Sequence, residues 1–465
     1  MDTLFCDELL QEIFHRIPPP SASAVSLVSR RWCRLLRSST SSLSLNFPPP
    51  YNPTAITSFS TFLRQHPFLS SLSATAAAGD HPILLAVASS CPNLRHLRFL
   101  SPPVSVFSLC TLSTSCAHLS SIAVTVSRPL SLRWLPRFKS LKFLSLVITN
   151  PLTEIDDSEL GEVKYAVFDG ELSLDSLSLC GISAGDHGIS YLWRNCKNVK
   201  KLHLKSCESV GDYPSFSGFL RLASDLQELE LRSCRSIIDV VMLTLAENCA
   251  SLNSLLIYDG GSREGLAQFF NRSKSSLRNL DFRLPLDLDN THLITLSENF
   301  HFRGLMSLRL QSCCLVTGEG LKAVGRALAH GLEELALINC DVVERELGLL
   351  TTLGQDLKKL RKLDLSYNDM LLDKELVSML ASCDCLVELK LRGCSKLTNA
   401  AVGAMVKSCK KLQHVDITYC RSIEVQGVEL FVLNSPCLRR VEVEQSKLSE
   451  VARTWASNRF MQIVY

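Results

Sequence analysis

Leu360-Arg361-Lys362-Leu363-Asp364-Leu365-Ser366-Tyr367-Asn368 is followed, 26 residues on, by Leu386-Val387-Glu388-Leu389-Lys390-Leu391-Arg392-Gly393-Cys394. Both read Leu-x-x-Leu-x-Leu, with Asn or Cys at offset eight. The alternation Leu-x-Leu turns one face of a short strand inward and the other outward. The residue at offset eight falls where the chain leaves the strand. There an amide can satisfy backbone groups of neighbouring turns, and a small thiol can fill the corner. The stretches between strands carry apolar residues at three-to-four spacing, as in Ile237–Asn248 and Ala400–Ser408, and predict helices. One such unit cannot bury its own apolar face, whereas stacked units share a continuous core.

Working outward, clear copies also start at Val199, Leu226, Leu332 and Leu412. Less regular ones start at Leu69, Leu94, Leu119, Leu141, Leu174, Leu252, Leu277, Leu305 and Leu438. That makes fifteen units, mostly 25 to 28 residues apart, with spacings of 22 and 33 on either side of Leu141. Parallel neighbours about 4.8 Å apart would give an inner arc of about 70 Å.

The 19 cysteines follow the same period. Cys207, Cys234, Cys313, Cys340, Cys394 and Cys420 lie eight after a unit's first apolar position. Cys91, Cys116, Cys196, Cys249, Cys383 and Cys409 lie three before one. These are expected to be buried structural thiols. No Cys-x-x-Cys pair exists, so no metal site is expected. The start Met1-Asp2-Thr3 lacks a secretory pattern, and no window approaches the ~20 apolar residues of a membrane span. Reduced thiols in the cytoplasm, the nucleus or both are the expectation. A net charge of +3 over 465 residues gives no ground for nucleic-acid binding.

Residues 1–45 are of another kind. Leu9, Leu10, Ile13, Phe14 and Ile17 lie at helical spacing, and Pro18-Pro19-Pro20 stops that helix. A second helix is expected from about Ser23, through Val25, Leu27, Val28 and Trp32, to Leu36. Two short amphipathic helices bury little alone, so a partner or the adjoining units must cover them. The segment 46–60, with Pro48-Pro49-Pro50 and Asn52-Pro53, reads as a linker, within a linker or cap spanning 46–68.

Leu4, Glu8, Leu9, Leu10, Ile13, Phe14, Pro18, Val28, Ser29, Trp32 and Leu35 match the F-box pattern, and residues 1–45 resemble an F-box. Phe5 departs from the family's usual Pro. Residues 69–465 resemble the cysteine-containing, plant-like subclass of leucine-rich repeats, with a short C-terminal cap. The resemblance implies an α/β solenoid, a horseshoe with parallel strands inside and helices outside. It also implies docking on a Skp-type adaptor, and through it a cullin, by Leu4, Leu9, Leu10, Ile13, Phe14, Ile17, Val28, Trp32 and Leu35. The chain would then be the non-catalytic substrate receptor of a ubiquitin ligase, marking a target protein for proteasomal degradation. A repeat scaffold with no ubiquitin role is the alternative.

Target binding is expected on outward strand positions: Lys201, His203, Glu228, Glu230, Tyr258, Asp281, Arg309, Asp364, Tyr367, Lys390, His414 and Asp416. Their mixed signs equally suit charges that pair across the ladder. The acidic stretch Glu154–Glu162 reads as a loop inserted in the long unit. Hormone-receptor relatives hold an inositol polyphosphate in a basic pocket, but no dense basic cluster occurs here and no cofactor is expected. Gly181-Ile182-Ser183-Ala184-Gly185 fits the nucleophile-elbow spelling, yet it follows a strand where every unit turns and is read as a turn.

Overall fold

The computed structural model describes residues 5–17, 21–47, 53–76, 81–150 and 171–465. They form two compact units, Met1–Leu222 and Ala223–Tyr465. The Leu4 and Glu154–Glu162 expectations lie outside the described residues.

The first unit opens with helices α1 (Asp7–Arg16), α2 (Ala22–Ser26) and α3 (Arg30–Ser39). Acids start α1, and His15 and Arg16 end it, which suits the helix dipole. The single second helix expected from Ser23 to Leu36 is in fact two. Ser29 is extended, and its hydroxyl accepts the Trp32 backbone N–H at 3.1 Å. That N-cap restarts the helix, so Leu27 and Val28 fall in the break.

Seven parallel strands follow: β1 (Ser42–Phe47), β2 (Ser71–Ala76), β3 (His96–Phe99), β4 (Ser121–Ser127), β5 (Phe143–Thr149), β6 (Ser176–Cys180) and β7 (Lys201–Lys205). The second unit holds ten more: β8 (Glu228–Arg232), β9 (Ser254–Tyr258), β10 (Asn279–Arg283), β11 (Ser307–Gln311), β12 (Glu334–Ile338), β13 (Lys362–Asp364), β14 (Glu388–Lys390), β15 (His414–Asp416), β16 (Arg440–Glu442) and β17 (Gln462–Val464). Strands β2 to β16 each begin two residues after the first apolar residue of their sequence unit. Helices such as Ile238–Asn248 and Asn399–Ser408 link them.

Two strands lie beyond the fifteen units. β1 and the helix Pro53–Arg64 occupy the end of the expected F-box and the expected linker. Ser42-Leu43-Ser44-Leu45 already alternates as the later strands do, and β1 pairs with β2 in register. At the other end, helix Glu450–Asn458 and β17 form the stretch expected as a short cap.

The core is built as the pattern requires. Leu360, Leu363, Leu365, Leu386, Leu389 and Leu391 are each at most 1% exposed. From β6 to β15 the residue five after the strand's first is left-handed: Gly181, Ser206, Ser233, Asp259, Leu284, Ser312, Asn339, Tyr367, Gly393 and Tyr419. In register, the N–H of Asp259 donates to Arg283 O at 2.8 Å, and that of Gly393 to Thr418 O at 2.8 Å. A bulky residue such as Leu284 or Tyr367 costs about 1–3 kcal/mol in this conformation, and it persists because neighbouring bonds fix the turn.

The offset-eight side chain comes next. Cys340 Sγ donates to Leu310 O at 3.4 Å, Cys394 Sγ to Leu365 O at 3.1 Å and Cys420 Sγ to Leu391 O at 2.9 Å. Asn368 takes the same place, donating Nδ2 to Leu337 O at 2.8 Å and accepting the Cys340 N–H at 2.9 Å. All twelve cysteines in repeat register are buried free thiols, and none of the other seven is buried. Burial pushes Cys116, Cys196, Cys409 and Cys420 up to about 12.

Candidate functional site

Two surfaces follow from this architecture. The first is the outside of α1–α3. Leu10 and Phe14 of α1 and Leu35 of α3 form a small core, with Ile17, Val25, Trp32 and Leu36 packed against it. The Phe14 and Trp32 rings stand 5.5 Å apart. Arg31 ties α3 to the start of α1, donating to Asp7 Oδ1 at 2.5 Å and to Phe5 O at 2.9 Å. Arg37 links the helices to the next repeat through Gln65 and the Phe62 ring.

So small a core leaves apolar side chains outside. Phe5, Leu9, Ile13, Leu27 and Val28 are 38, 46, 40, 85 and 58% exposed. Leu9 and Ile13 are four apart on α1 and share one strip of its surface. The residues expected to bind an adaptor therefore divide. Leu9, Ile13 and Val28 face solvent, whereas Leu10, Phe14 and Leu35 are inside and brace the helices. Ile17 and Trp32 are half-buried between the two groups. Phe5 and Leu27 join the exposed set without having been expected there. Leu27 lies with Val28 in the break that Ser29 enforces.

The second surface is the outward face of the strands in the second unit. Its charges are largely paired. Arg309 lies 3.8 Å from Asp281, 3.6 Å from Glu334 and 3.4 Å from Asp364. Asp281 also holds Arg283 at 2.7 Å, Lys390 holds Glu388 at 2.8 Å, and Glu230 pairs with Arg232. Pairing with Glu388 holds Lys390 above its ordinary value despite desolvation.

Two members of the expected set are largely buried. Asp364 accepts the Ser366 N–H at 3.1 Å, and Asp416 accepts the Thr418 N–H at 2.9 Å and hydroxyl at 2.6 Å. Both carboxylates lie in the outward row of the strands, Asp364 beside Arg309 and Asp416 beside Lys390 and Glu442, and each also ties off its strand end. Tyr367 is corrected in position, since it sits at the left-handed turn beyond β13 and is half-exposed there. His414 is exposed and Tyr258 half-buried, each on its strand. In the first unit Lys201 is exposed and His203 half-buried on β7, and in the second Glu228 is half-buried on β8.

The nucleophile-elbow spelling is a repeat turn. Gly181 is left-handed, Ser183 donates its hydroxyl to Asp186 at 3.2 Å, and Asp186 is paired with Arg128 at 2.8 Å. Among the described residues no group of three His, Cys, Asp or Glu is placed to hold a metal, and no helix is long and apolar enough to cross a membrane.

With this geometry in place, the comparisons with known proteins fall into line. The F-box domain family matches residues 3–42. The chain thus carries an F-box domain followed by a leucine-rich-repeat fold of parallel strands and helices. Lysine-specific demethylase 2B of Mus musculus is 26% identical over 132 residues, covering 27% of this chain and 10% of that protein. NLR family CARD domain-containing protein 4 of Xenopus tropicalis is 27% identical over 226 residues, covering 44% of this chain and 21% of that protein. The chain thus spans about a tenth of the first relative's length and about a fifth of the second's.

Among solved structures, the Rad7–Elc1 complex of yeast gives a TM-score of 0.48 at 16% identity, covering 96% of this chain and 90% of that one. The Leptospira interrogans leucine-rich-repeat protein LIC12759 gives 0.39 at 16% identity, covering 99% and 98%.

Proposed function

We propose that this chain is a non-catalytic substrate receptor of an SCF-type ubiquitin ligase. The F-box docks a Skp-type adaptor, which carries a cullin. The outward strand face and its adjoining turns hold a target protein for ubiquitination and degradation in the cytoplasm or nucleus. Receptors of this kind act by proximity, raising the effective concentration of target near the transfer machinery.

The observation that carries the reading is the apolar exterior of α1–α3 at residues matched by the F-box family: Leu9, Ile13 and Val28. A soluble unit does not gain by leaving such side chains in water, and a partner that covers them does.

Co-purification of the full chain with a Skp-type adaptor tests it, wild type beside Leu9→Ala/Ile13→Ala/Val28→Ala. Completing the burial of three half-exposed side chains is worth about 3 kcal/mol, so the triple variant should bind about two orders of magnitude more weakly. Because all three are exposed, its circular dichroism and melting temperature should match wild type. A folded wild-type chain that does not retain the adaptor overturns the proposal and leaves a repeat scaffold as the better account.

A further inference from the structure

In the second unit, the carboxylates between β12 and β14, in and around the first helical turns after each strand, are mostly engaged. Asp341 pairs with Arg345 at 2.8 Å. Glu344 accepts the Met370 N–H at 2.8 Å, and Glu346 accepts the Gly318 N–H at 2.6 Å. Asp373 accepts both the N–H and the hydroxyl of Thr398, and Glu375 accepts the Gly348 N–H at 2.9 Å. Asp341 pairs within its own helix, and the other four tie one repeat to the next. Asp369, at the same repeat offset as Asp341, is exposed and has no hydrogen-bond or ion-pair partner among the described residues.

Asp369 borders an open hollow of about 410 Å³, lined also by Gln311, Ile338, Asn339, Tyr367 and Gly393. Its shape comes from the left-handed column. Asn339, Tyr367 and Gly393 occupy that position in three successive repeats. A Cβ at Gly393 would come within 2.9 Å of Tyr367 Cδ1, so the glycine leaves room for the ring to lie along the edge. The ring is half-exposed. The neighbouring cations are engaged elsewhere. Arg309 is shared by Asp281, Glu334 and Asp364, and the Arg392 guanidinium lies 4.9 Å from the Tyr419 ring centre in the next repeat, close enough to Tyr367 to feel its hydroxyl as well.

We infer that this hollow receives a basic side chain, lysine or arginine, from the target polypeptide. The chemistry is complementary. Asp369 supplies a formal negative charge, Gln311 and Asn339 supply amide oxygens, and the Tyr367 ring supplies a face over which a cation is attracted. The inference rests on the reading of the repeats as a target-binding surface, and it names the chemistry that surface selects.

Panning a phage-displayed library of random 12-residue peptides against the full chain tests it. Wild-type selection should return peptides sharing Lys or Arg at one fixed position. Replacing that residue by norleucine in the synthetic peptide should weaken binding about tenfold. Asp369→Asn, which is exposed and nearly isosteric, should cost a similar factor, and the two changes together should cost little more than either alone. Tyr367→Leu should weaken the same peptide and leave a norleucine peptide unaffected.

Three results overturn the inference: no peptide is selected, the selected peptides share no basic position, or Asp369→Asn binds them as wild type does. Adaptor co-purification on the same preparations separates the failures. Adaptor retained without basic selection sinks only the hollow. Basic selection without adaptor retention sinks the ligase reading and leaves the hollow standing.

Discussion

The three-helix F-box and the strand repeats solve the same problem in opposite ways. In the repeats each apolar face is met by the next copy, so strand leucines such as Leu389 are fully buried and the outward face is polar and paired. In α1–α3 there is no next copy of the same shape. The core is Leu10, Phe14 and Leu35 with four half-buried neighbours, and Leu9, Ile13, Leu27 and Val28 are left outside. Stacking supplies a partner within the chain, whereas a terminal helical unit has to find one elsewhere. Under the proposed function the exposed apolar side chains of α1–α3 are the adaptor surface, whereas much of the exposed charge on the second unit's strand face is paired along the ladder.

That contrast can be broken most sharply at Phe14. Phe14→Ala removes a buried ring and should cost the helical unit about 3–5 kcal/mol. Limited proteolysis should then cut within residues 5–40 while the repeats resist, and adaptor retention should fall with it. Leu9→Ala, one turn away and half-exposed, should lose adaptor with no new cleavage. Equal protease resistance in both variants would show that α1–α3 do not depend on their own core.

In the repeats, Asn368→Ala strips partners from the Cys340 N–H and the Leu337 carbonyl, both buried, and should cost about 2–4 kcal/mol in urea unfolding. Asn368→Cys should recover part of that loss, because cysteines fill the same position in adjacent repeats.

The smallest effect belongs to Asp416. Burial holds its carboxyl above the ordinary value. The protonated form is thus favoured on folding, and the penalty appears only as the pH rises through the folded-state pKa. Asp416→Asn keeps an acceptor for Thr418 and should raise the melting temperature at pH 7 by about 1–2 °C. The gain should vanish in acid below the usual carboxylate range.

The repeats were legible to the residue because stacking forces a period on the sequence. The first apolar residue of each unit located β2 through β16, and cysteine register separated buried thiols from the rest. Legibility failed where the period was masked or tertiary context decided. The Pro48-Pro49-Pro50 run hid the alternation of Ser42–Phe47. One N-cap hydroxyl, at Ser29, divided a helix that apolar spacing makes continuous. Motif matching collected Leu9 with Leu10 and Ile13 with Phe14, and only packing separates the outward from the inward member of each pair. Alternation placed Asp364 and Asp416 in the outward row, but it could not show that hydrogen bonds to the residues two further on would bury most of each carboxylate. Asp369 was invisible, since its lack of a partner is known only once its neighbours' partners are known.

The twelve buried thiols have a use that their packing did not require. A thiol reagent in solution can modify Cys91, Cys116 or Cys420 only when the surrounding turn opens, and the raised pKa of each keeps it inert until then. Cys6, Cys314 and Cys437 are exposed and react without any opening. The chain thus carries its own evenly spaced set of clocks. The order in which they are stopped would trace, repeat by repeat, where the array first comes apart.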